Sequence, residues 1–330
     1  MTIDGKWKYN GMKVVFLRSD NLQIAIIPEL GGVIWSIKHL GTNREFLAQV
    51  REPRPLSNYQ SLYPAKNLLD IALIGGWYEV IPNVGYFSQY NGAEFGLHEE
   101  TVYLPWELEY DESANPDMIS MKVHLAKYPL EIVKHIRLRN ERITIEERLL
   151  NKSDEELKFA WLHHPTFGGD LLDDGTELII EDCEFEIDRY LPTANASLEP
   201  GYRGLWPHGK SKNKEDVDLS KYPGKGSTNC DDLIYIPKMQ SGKFLIQNNR
   251  KGMTFSARWD KHIFPTLWIW RALGGGNGYP WYGNIYATAV EISTSYPATG
   301  LADQCRMGTA STISGRKELK TVLEFEAKAV

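Results

Sequence analysis

The feature that most constrains this chain is a long alternation of apolar and polar residues between Met118 and Trp161. A period of two is typical of β-strands that have one buried face and one wet face. The apolar faces of two successive strands are formed by Ile119, Met121, Val123 and Leu125, and by Ile143, Ile145 and Leu149. A turn sequence, Arg139 to Arg142, precedes the second strand. The pattern predicts long antiparallel strands, and Glu147 interrupts their apolar face.

Similar extended patterns recur through most of the chain and predict an all-β fold, a large antiparallel β-sandwich. They occupy residues 14–17, 22–27, 32–39, 176–190, 244–248, 253–259, 266–273, 286–294 and 321–327. The segment from Asn67 to Gly76 is expected to form a short helix, with an apolar loop that crosses the sheet as the alternative. Residues 192–232, rich in Gly, Pro, Asn, Ser and Lys, are expected to form a long loop. Sandwiches of 330 residues are often single domains, so residues 1–330 are predicted to form one domain.

Composition excludes several classes of function. The net charge is −6 and the pI is near 5.8, with no basic stripe that would match a nucleic acid backbone. The three cysteines are far apart and predict neither disulfides nor a zinc site, so a reducing compartment fits. No segment has the length of a signal sequence or a membrane span. We therefore expect a cytoplasmic protein that binds neither nucleic acid nor membrane.

Two adjacent histidines and a proline end a short apolar segment that follows a polar turn at Asn151. In an extended chain His163 points to the same side as Phe159 and Trp161, while His164 points to the other side. The two histidines therefore have different roles. Pro165 lacks a backbone donor, which predicts that the strand ends here with His164 at its rim.

A carboxylate near the end of the chain is a second candidate. Glu291 shares one strand face with small residues, Ala287, Ala289, Ser293 and Ser295, which would leave room for a bound molecule. The alternative is a solvated carboxylate on the outer surface of a sheet. His98, in Gly96-Leu-His-Glu-Glu100, is a third candidate, although a lone histidine is more often structural. The spacing of these residues shows no metal-binding motif, so no metal or cofactor is expected.

Four segments, in this order, resemble those of the galactose mutarotase-like, or aldose 1-epimerase, family. They are Leu22-Gln-Ile24 through Gly31-Gly32 to Asn43-Arg-Glu-Phe-Leu47; Gly96-Leu-His98 through Glu100 to Pro105-Trp106; Asn151, Ser153 and Asp154 with His164-Pro165 and Phe167; and Ala289-Val-Glu291 with Thr294-Ser295. Together they span most of the chain. The resemblance implies a large antiparallel β-sandwich that acts on a small carbohydrate, as a monomer or homodimer.

The resemblance also implies roles for individual residues. Glu291 is the expected base, His164 the expected acid, and His98 a second donor near the sugar ring oxygen. His163 is the alternative acid. The predicted substrate-binding residues are Asp232, Arg271, Trp161 and Trp268, with Asp231 and Trp270 as neighbours of this set.

The sequence departs from the family at two places, which puts galactose itself in doubt. Ile81-Pro-Asn-Val-Gly85 lacks the expected sugar-binding arginine, and Glu99 replaces a glycine. We predict an aldose 1-epimerase that interconverts the anomers of an unidentified sugar. The alternatives are a non-catalytic carbohydrate-binding sandwich and a sugar lyase or isomerase on the same scaffold. We also expect the carboxylate of Glu291 to raise the pKa of His164 more than burial lowers it.

Overall fold

A computed structural model describes residues 2–50, 74–110, 118–278 and 281–330. Within them, strands dominate and a short helix is present, α1 (Leu301–Met307). The strands, in chain order, are β1 (Thr2–Tyr9), β2 (Met12–Arg18), β3 (Leu22–Ile27), β4 (Val33–His39), β5 (Arg44–Glu45), β6 (Trp77–Val80), β7 (Pro82–Asn83), β8 (Ser88–Tyr90), β9 (Ala93–Phe95), β10 (Glu99–Glu100), β11 (Glu107–Glu109), β12 (Met118–His124), β13 (Leu130–Arg139), β14 (Arg142–Asn151), β15 (Leu157–Phe159), β16 (Leu162–Phe167), β17 (Thr176–Ile179), β18 (Glu184–Ile187), β19 (Arg203–Leu205), β20 (His208–Lys210), β21 (Asp216–Asp218), β22 (Cys230–Ile236), β23 (Lys243–Asn248), β24 (Met253–Trp259), β25 (Thr266–Leu273), β26 (Tyr286–Ser293), β27 (Ser311–Ile313) and β28 (Glu318–Ala329).

Two large antiparallel sheets contain most of these strands. The larger sheet has the order β1-β2-β3-β4-β6-β16-β26-β25-β22-β18-β19, with β5 beside β4. The second has the order β11-β12-β13-β14-β28-β24-β23-β17. Their facing sides bury one apolar core, in which the ring centroids of Trp77 and Phe325, from opposite sheets, are 4.5 Å apart. The predicted all-β sandwich is confirmed.

The region of clearest alternation forms the centre of the second sheet. Strands β12, β13 and β14 pair in sequence, with Ile119 opposite Ile136 and Ile136 opposite Ile145, and all three side chains are buried. The predicted turn is confirmed, because β13 ends at Arg139 and β14 begins at Arg142. Asn140 occupies the left-handed region there (φ 52°), which asparagine tolerates well.

Three predictions about local structure need comment. Strand β16 does not end at His164 but continues to Phe167, because Pro165 still pairs in register with Trp77 of β6. The predicted long loop after Pro192 contains three short strands, β19, β20 and β21, although turns separate them. The predicted helix at Asn67 lies outside the described residues, apart from its last positions. No helix in the described ranges has the length and apolar character that a bilayer requires.

Candidate active site

A cavity of about 880 Å³ lies on the outer face of the larger sheet. Its floor is formed by the central strands β16, β26, β25 and β22, and it falls within the size range of small-molecule sites. The side chains that line it include His98, His164, Glu291, Trp268, Trp270, Asp231 and Trp281. The cavity thus collects residues from sequence segments that are far apart.

Strand pairing places His164 and Glu291 side by side. Strands β16 and β26 pair His163 with Ile292 and Thr166 with Ala289. Continuing the same register sets His164 opposite Glu291, and opposite residues of antiparallel strands project to the same face. On its other side Glu291 is paired with Trp268 of β25. The sheet therefore determines which side chains flank the carboxylate.

The side chains of His164 and Glu291 are in contact, but the distance between them is longer than that of an ordinary hydrogen bond. His164 Nε2 lies 3.5 Å from Glu291 Oε1, at the upper limit for a hydrogen bond. His164 Nδ1 is 3.1 Å from the hydroxyl of Thr166, which orients the ring. Glu291 is 2% exposed, and its Oε2 atom has no hydrogen-bond partner within the described part of the chain. A buried polar atom without a partner is costly unless a ligand satisfies it.

His98 enters the cavity from the loop between β9 and β10. Its backbone is in the left-handed region (φ 50°), and its Nδ1 accepts a hydrogen bond from the backbone N–H of Gly85 at 3.2 Å. In the neutral ring the proton is therefore on Nε2. The ring centroids of His98 and His164 are 5.6 Å apart, with the planes nearly perpendicular. His98 is thus built as a hydrogen-bond donor beside His164.

Burial controls the charge of these three groups. It raises the pKa of Glu291 to about 8 and lowers the pKa of His164 to about 4. The pKa of His98 falls to about 3, first through burial and second through the neighbouring His164. The expectation that Glu291 would raise the pKa of His164 is wrong, because a protonated carboxyl offers no charge to offset burial. Between pH 4 and 8 the empty pair is uncharged and holds one proton.

His163 points into the sandwich core, as the alternation predicts. It is 1% exposed, and its Nε2 lies 3.0 Å from Glu147 Oε2 on the opposite sheet. This pairing explains why Glu147 interrupts the apolar face of β14. His163 has no access to the cavity, so the geometry favours His164 over His163 as a group that could meet a ligand.

Comparison with known proteins adds a structural likeness. No protein-family profile and no curated protein sequence matches the chain. Among solved structures, a provisionally named aldose 1-epimerase from Klebsiella pneumoniae superposes with a TM-score of 0.73 at 16% identity, covering 98% of this chain and 82% of that one. A galactose mutarotase-like protein from Clostridium acetobutylicum has a TM-score of 0.68 at 12% identity, covering 99% and 98%. This chain has the galactose mutarotase-like fold.

A third solved structure extends the likeness to an animal protein. A GalM/aldose epimerase homologue from C. elegans superposes with a TM-score of 0.59 at 13% identity, covering 96% of this chain and 99% of that one. The fold that the sequence motifs imply is therefore confirmed over nearly the whole chain.

Within the mutarotase-like fold, the four predicted substrate-binding residues separate into two groups. Trp268 and Asp232 line the cavity, whereas Trp161 and Arg271 do not. The indole N–H of Trp161 donates to Glu79 in the core. Arg271 donates to the carbonyl groups of Leu219 and Lys221 on the opposite side of the sheet. Both side chains therefore have structural partners away from the cavity.

The carboxylates of Asp231 and Asp232 have different surroundings. Asp232 accepts three hydrogen bonds from Ser197 and Leu198, which occupy both of its oxygens. Asp231 shares a strand face with Leu233 and accepts one hydrogen bond, from the indole N–H of Trp270 at 2.7 Å. Burial raises the pKa of Asp231. Adjacent residues of β22 point to opposite faces of the sheet, so the side chain of Asp231 projects on the cavity face with Leu233, whereas that of Asp232, which is paired with Arg271, projects on the other face although the residue borders the cavity.

Trp281 is a cavity residue that the sequence does not predict, because it lies in a loop without periodicity. Its ring centroid is 6.1 Å from that of Trp270, so the two indoles form an aromatic wall along the cavity. Pairs of aromatic faces suit the C–H faces of sugars. Apart from its position after a glycine-rich loop, the sequence carries no signal for this role.

A group with metal-ligand chemistry lies outside the cavity. Ligand atoms of Glu79, Glu147 and His163 lie within 4.8 Å of one another in the core. The ammonium group of Lys134 lies 3.0 Å from Glu79 and supplies positive charge to this group. The cluster is therefore balanced by a side chain of the protein, and it does not face the cavity.

Proposed function

We propose that this protein is an aldose 1-epimerase that interconverts the α and β anomers of a sugar. The observation that carries the proposal is the pair of His164 and Glu291, buried at the floor of a cavity, with one carboxyl oxygen that has no partner among the described residues. An acid and a base held side by side are what anomer exchange requires. The mutarotase-like fold supports the same reaction.

In the proposed mechanism, Glu291 takes the proton of the anomeric hydroxyl and His164 gives a proton to the ring oxygen. The bond between the anomeric carbon and the ring oxygen breaks, which produces the open-chain aldehyde. Rotation about the adjacent carbon–carbon bond presents the other face of the carbonyl group. Reversal of both proton transfers closes the ring as the opposite anomer, and the pair regains its starting protonation.

A single proton on the pair is sufficient for this cycle. Because the pKa of Glu291 is above that of His164, that proton is on Glu291, and its transfer to His164 over 3.5 Å generates the carboxylate and imidazolium that the mechanism uses. The Nε2–H of His98 is placed to donate to a sugar oxygen near His164. Both arrangements of the proton have the same total charge, so both have the same dependence on pH.

The remaining lining residues suit the hydroxyl groups and C–H faces of a sugar. Asp231 presents a carboxylate with acceptor capacity left after its bond to Trp270, and Trp270 with Trp281 offers an apolar surface. We assign sugar hydroxyl binding to Asp231 in preference to Asp232, because the oxygens of Asp232 are already bonded to backbone and serine donors.

The test is a panel of freshly dissolved single anomers of hexoses, pentoses and acidic sugars, followed by polarimetry and by NMR exchange spectroscopy. We expect at least one aldose to equilibrate faster with the protein than with a His164→Asn control of equal concentration. Sugar binding without faster exchange would instead identify a carbohydrate-binding module. Formation of a new product would identify a lyase or isomerase, and either result would overturn the proposal.

A further inference from the structure

Four charged or titratable side chains form a closed group in the middle of the sandwich. Glu79 and His163 come from the larger sheet, and Lys134 and Glu147 come from the second sheet; we call them the core tetrad. All four are at most 4% exposed. Across the sandwich, Glu79 Oε2 lies 3.0 Å from Lys134 Nζ, and His163 Nε2 lies 3.0 Å from Glu147 Oε2.

The tetrad is also ordered within each sheet. Glu79 is paired directly with His163 between β6 and β16, and Lys134 is paired directly with Glu147 between β13 and β14. The four residues therefore occupy the corners of a square, with two cross-strand neighbours on each sheet. Trp161 completes the group by donating its indole N–H to Glu79 at 2.9 Å.

Stability alone is a poor explanation for such a group. Burying charges costs several kcal/mol per ion, and well-packed apolar residues often stabilise a core equally well or better. Buried polar groups do specify one arrangement of strands over another, because a misaligned partner leaves a charge unpaired. The tetrad lies where such a choice matters, since His163 is followed directly by His164.

At His164 and Pro165 the backbone of β16 is paired with β6 on one side but not with β26 on the other. Pairs with β26 are present at His163 and Thr166 but not at His164 or Pro165, because Pro165 has no N–H to donate. A slip of one residue reverses the face of every side chain in a strand. A slip in one direction would set Leu162 beside Glu147, which would lose its partner. A slip in the other direction would set His164 there and Leu162 in the place of Trp161, so Glu79 would lose its indole donor.

We propose that the core tetrad is a positioning element that fixes the register of β16 and thereby holds His164 beside Glu291. Its members do not touch the cavity and act through the strand. The proposal rests on the proposed function for its kinetic consequence, but the placement of His164 is measurable without any reaction.

The test compares three variants of β14. Glu147→Leu removes the partner of His163 and fits an apolar core, and Glu147→Gln retains a hydrogen-bond acceptor. Ile145→Ala, two residues away on the same buried face, is the control for lost stability without a lost polar partner. We expect Glu147→Leu to lower kcat at least tenfold with KM changed less than twofold. We expect Glu147→Gln to remain within about threefold of the wild type, and Ile145→Ala to keep the wild-type kcat while it is folded.

A second readout does not depend on activity. Titration of the His164 imidazole by ¹H–¹⁵N NMR should give a pKa that rises by about one unit in Glu147→Leu, as the loosened strand admits water. The pKa should stay unchanged in Ile145→Ala. If Glu147→Leu matches Ile145→Ala in both readouts, the proposal is wrong. If the wild type exchanges no sugar, the proposed function fails and the titration alone decides the role of the tetrad.

Discussion

His163 and His164 project from opposite faces of β16, and each lies beside a buried glutamate. The two histidine–glutamate pairs differ in the distance between their members and in the charges that surround them. In the core, His163 and Glu147 are 3.0 Å apart and belong to a charge-balanced group. In the cavity, His164 and Glu291 are 3.5 Å apart, and one carboxyl oxygen lacks a partner in the described residues. Each pair leaves one buried carboxyl oxygen without a hydrogen-bond partner in the described residues, Oε1 of Glu147 in the core and Oε2 of Glu291 in the cavity. The pairs therefore differ in the distance between their members and in the neighbouring charges of Lys134 and Glu79.

The pKa values of the buried groups show how the surrounding charges differ. Burial lowers the pKa of His163, but the charge and hydrogen bond of Glu147 together with the charge of Glu79 outweigh burial, so the net shift is upward. Burial raises the pKa of Glu79, but the charges of Lys134 and His163 and the hydrogen bonds from Lys134 and Trp161 together outweigh burial and lower this pKa. Burial raises the pKa of Glu291 to about 8. Burial and the charge of Glu79 also raise the pKa of Glu147, to about 7, although His163 lies beside it. The comparison teaches that, among these three buried carboxyl groups, the one beside the ammonium group of Lys134 is the one with a lowered pKa.

The largest expected effect concerns the rate of anomer exchange. Glu291→Gln should reduce kcat by roughly 10² to 10⁴, because general acid–base catalysis typically contributes that much. The matching change in the core, Glu147→Gln, should have a small effect. Exchange rates by NMR and sugar affinity by calorimetry measure both variants. Near-normal turnover in a folded Glu291→Gln protein would show that another group is the base.

The next effect concerns the stability of the core pair. Lys134→Met leaves Glu79 as an uncompensated buried charge, and breaking a buried ion pair in this way costs roughly 3 to 5 kcal/mol. Urea unfolding at pH 7 measures the loss. The double variant Lys134→Met with Glu79→Gln should recover much of it. A single variant as stable as the wild type would mean that Glu79 is not charged in the folded protein.

In the cavity, replacement of a buried carboxyl group is expected to increase stability. The folded pKa of Glu291 lies near 8, above the ordinary 4.5, so the unfolded chain releases this proton first as the pH rises. Glu291 therefore lowers stability progressively from pH 4.5 to pH 8. Glu291→Gln should be more stable than the wild type at pH 7, by at most about 3 kcal/mol. The gain should vanish near pH 4, and a gain independent of pH would contradict the assignment.

The smallest effect is the shape of the pH profile. Below about pH 4 both His164 and Glu291 are protonated and no base remains, whereas above about pH 8 both are deprotonated and no acid remains. We expect kcat/KM to be level between these limits and to fall about tenfold per pH unit outside them. The measurement is exchange rate against pH below saturation. A profile with a maximum only near pH 5 would indicate ordinary pKa values for both groups.

The alternation of apolar and polar residues is the basis of much of the predicted fold. Alternation was sufficient to assign β12 and β14 and to separate His163 from His164. It also contained a signal for the tetrad, since Lys134 interrupts the apolar face of β13 as Glu147 does that of β14. What alternation does not contain is the pairing of Glu79 with Lys134, because that contact joins two sheets and depends on how they are stacked.

Two predictions that the structure contradicts depend on contacts between segments that are distant in the sequence. The end of β16 was placed too early because a proline can retain strand geometry when a neighbour pairs with it on one side. The pKa of His164 was misjudged because burial is a property of the assembled cavity. The roles of Trp161 and Arg271 in substrate binding stay predictions of the resemblance, and in the described residues their side chains donate to groups of the protein.

The order of the strands also has a consequence for how the protein folds. The centre of the second sheet joins Arg142 to Glu326, which are 184 residues apart in the chain (326 − 142). The floor of the cavity joins Leu162 to Ser293, 131 residues apart (293 − 162). Contacts of such long sequence separation form slowly, because much chain entropy is lost before they are made. During refolding, hairpins such as β13–β14 should gain protection from hydrogen exchange early, and the strands around His164 and Glu291 should gain it late.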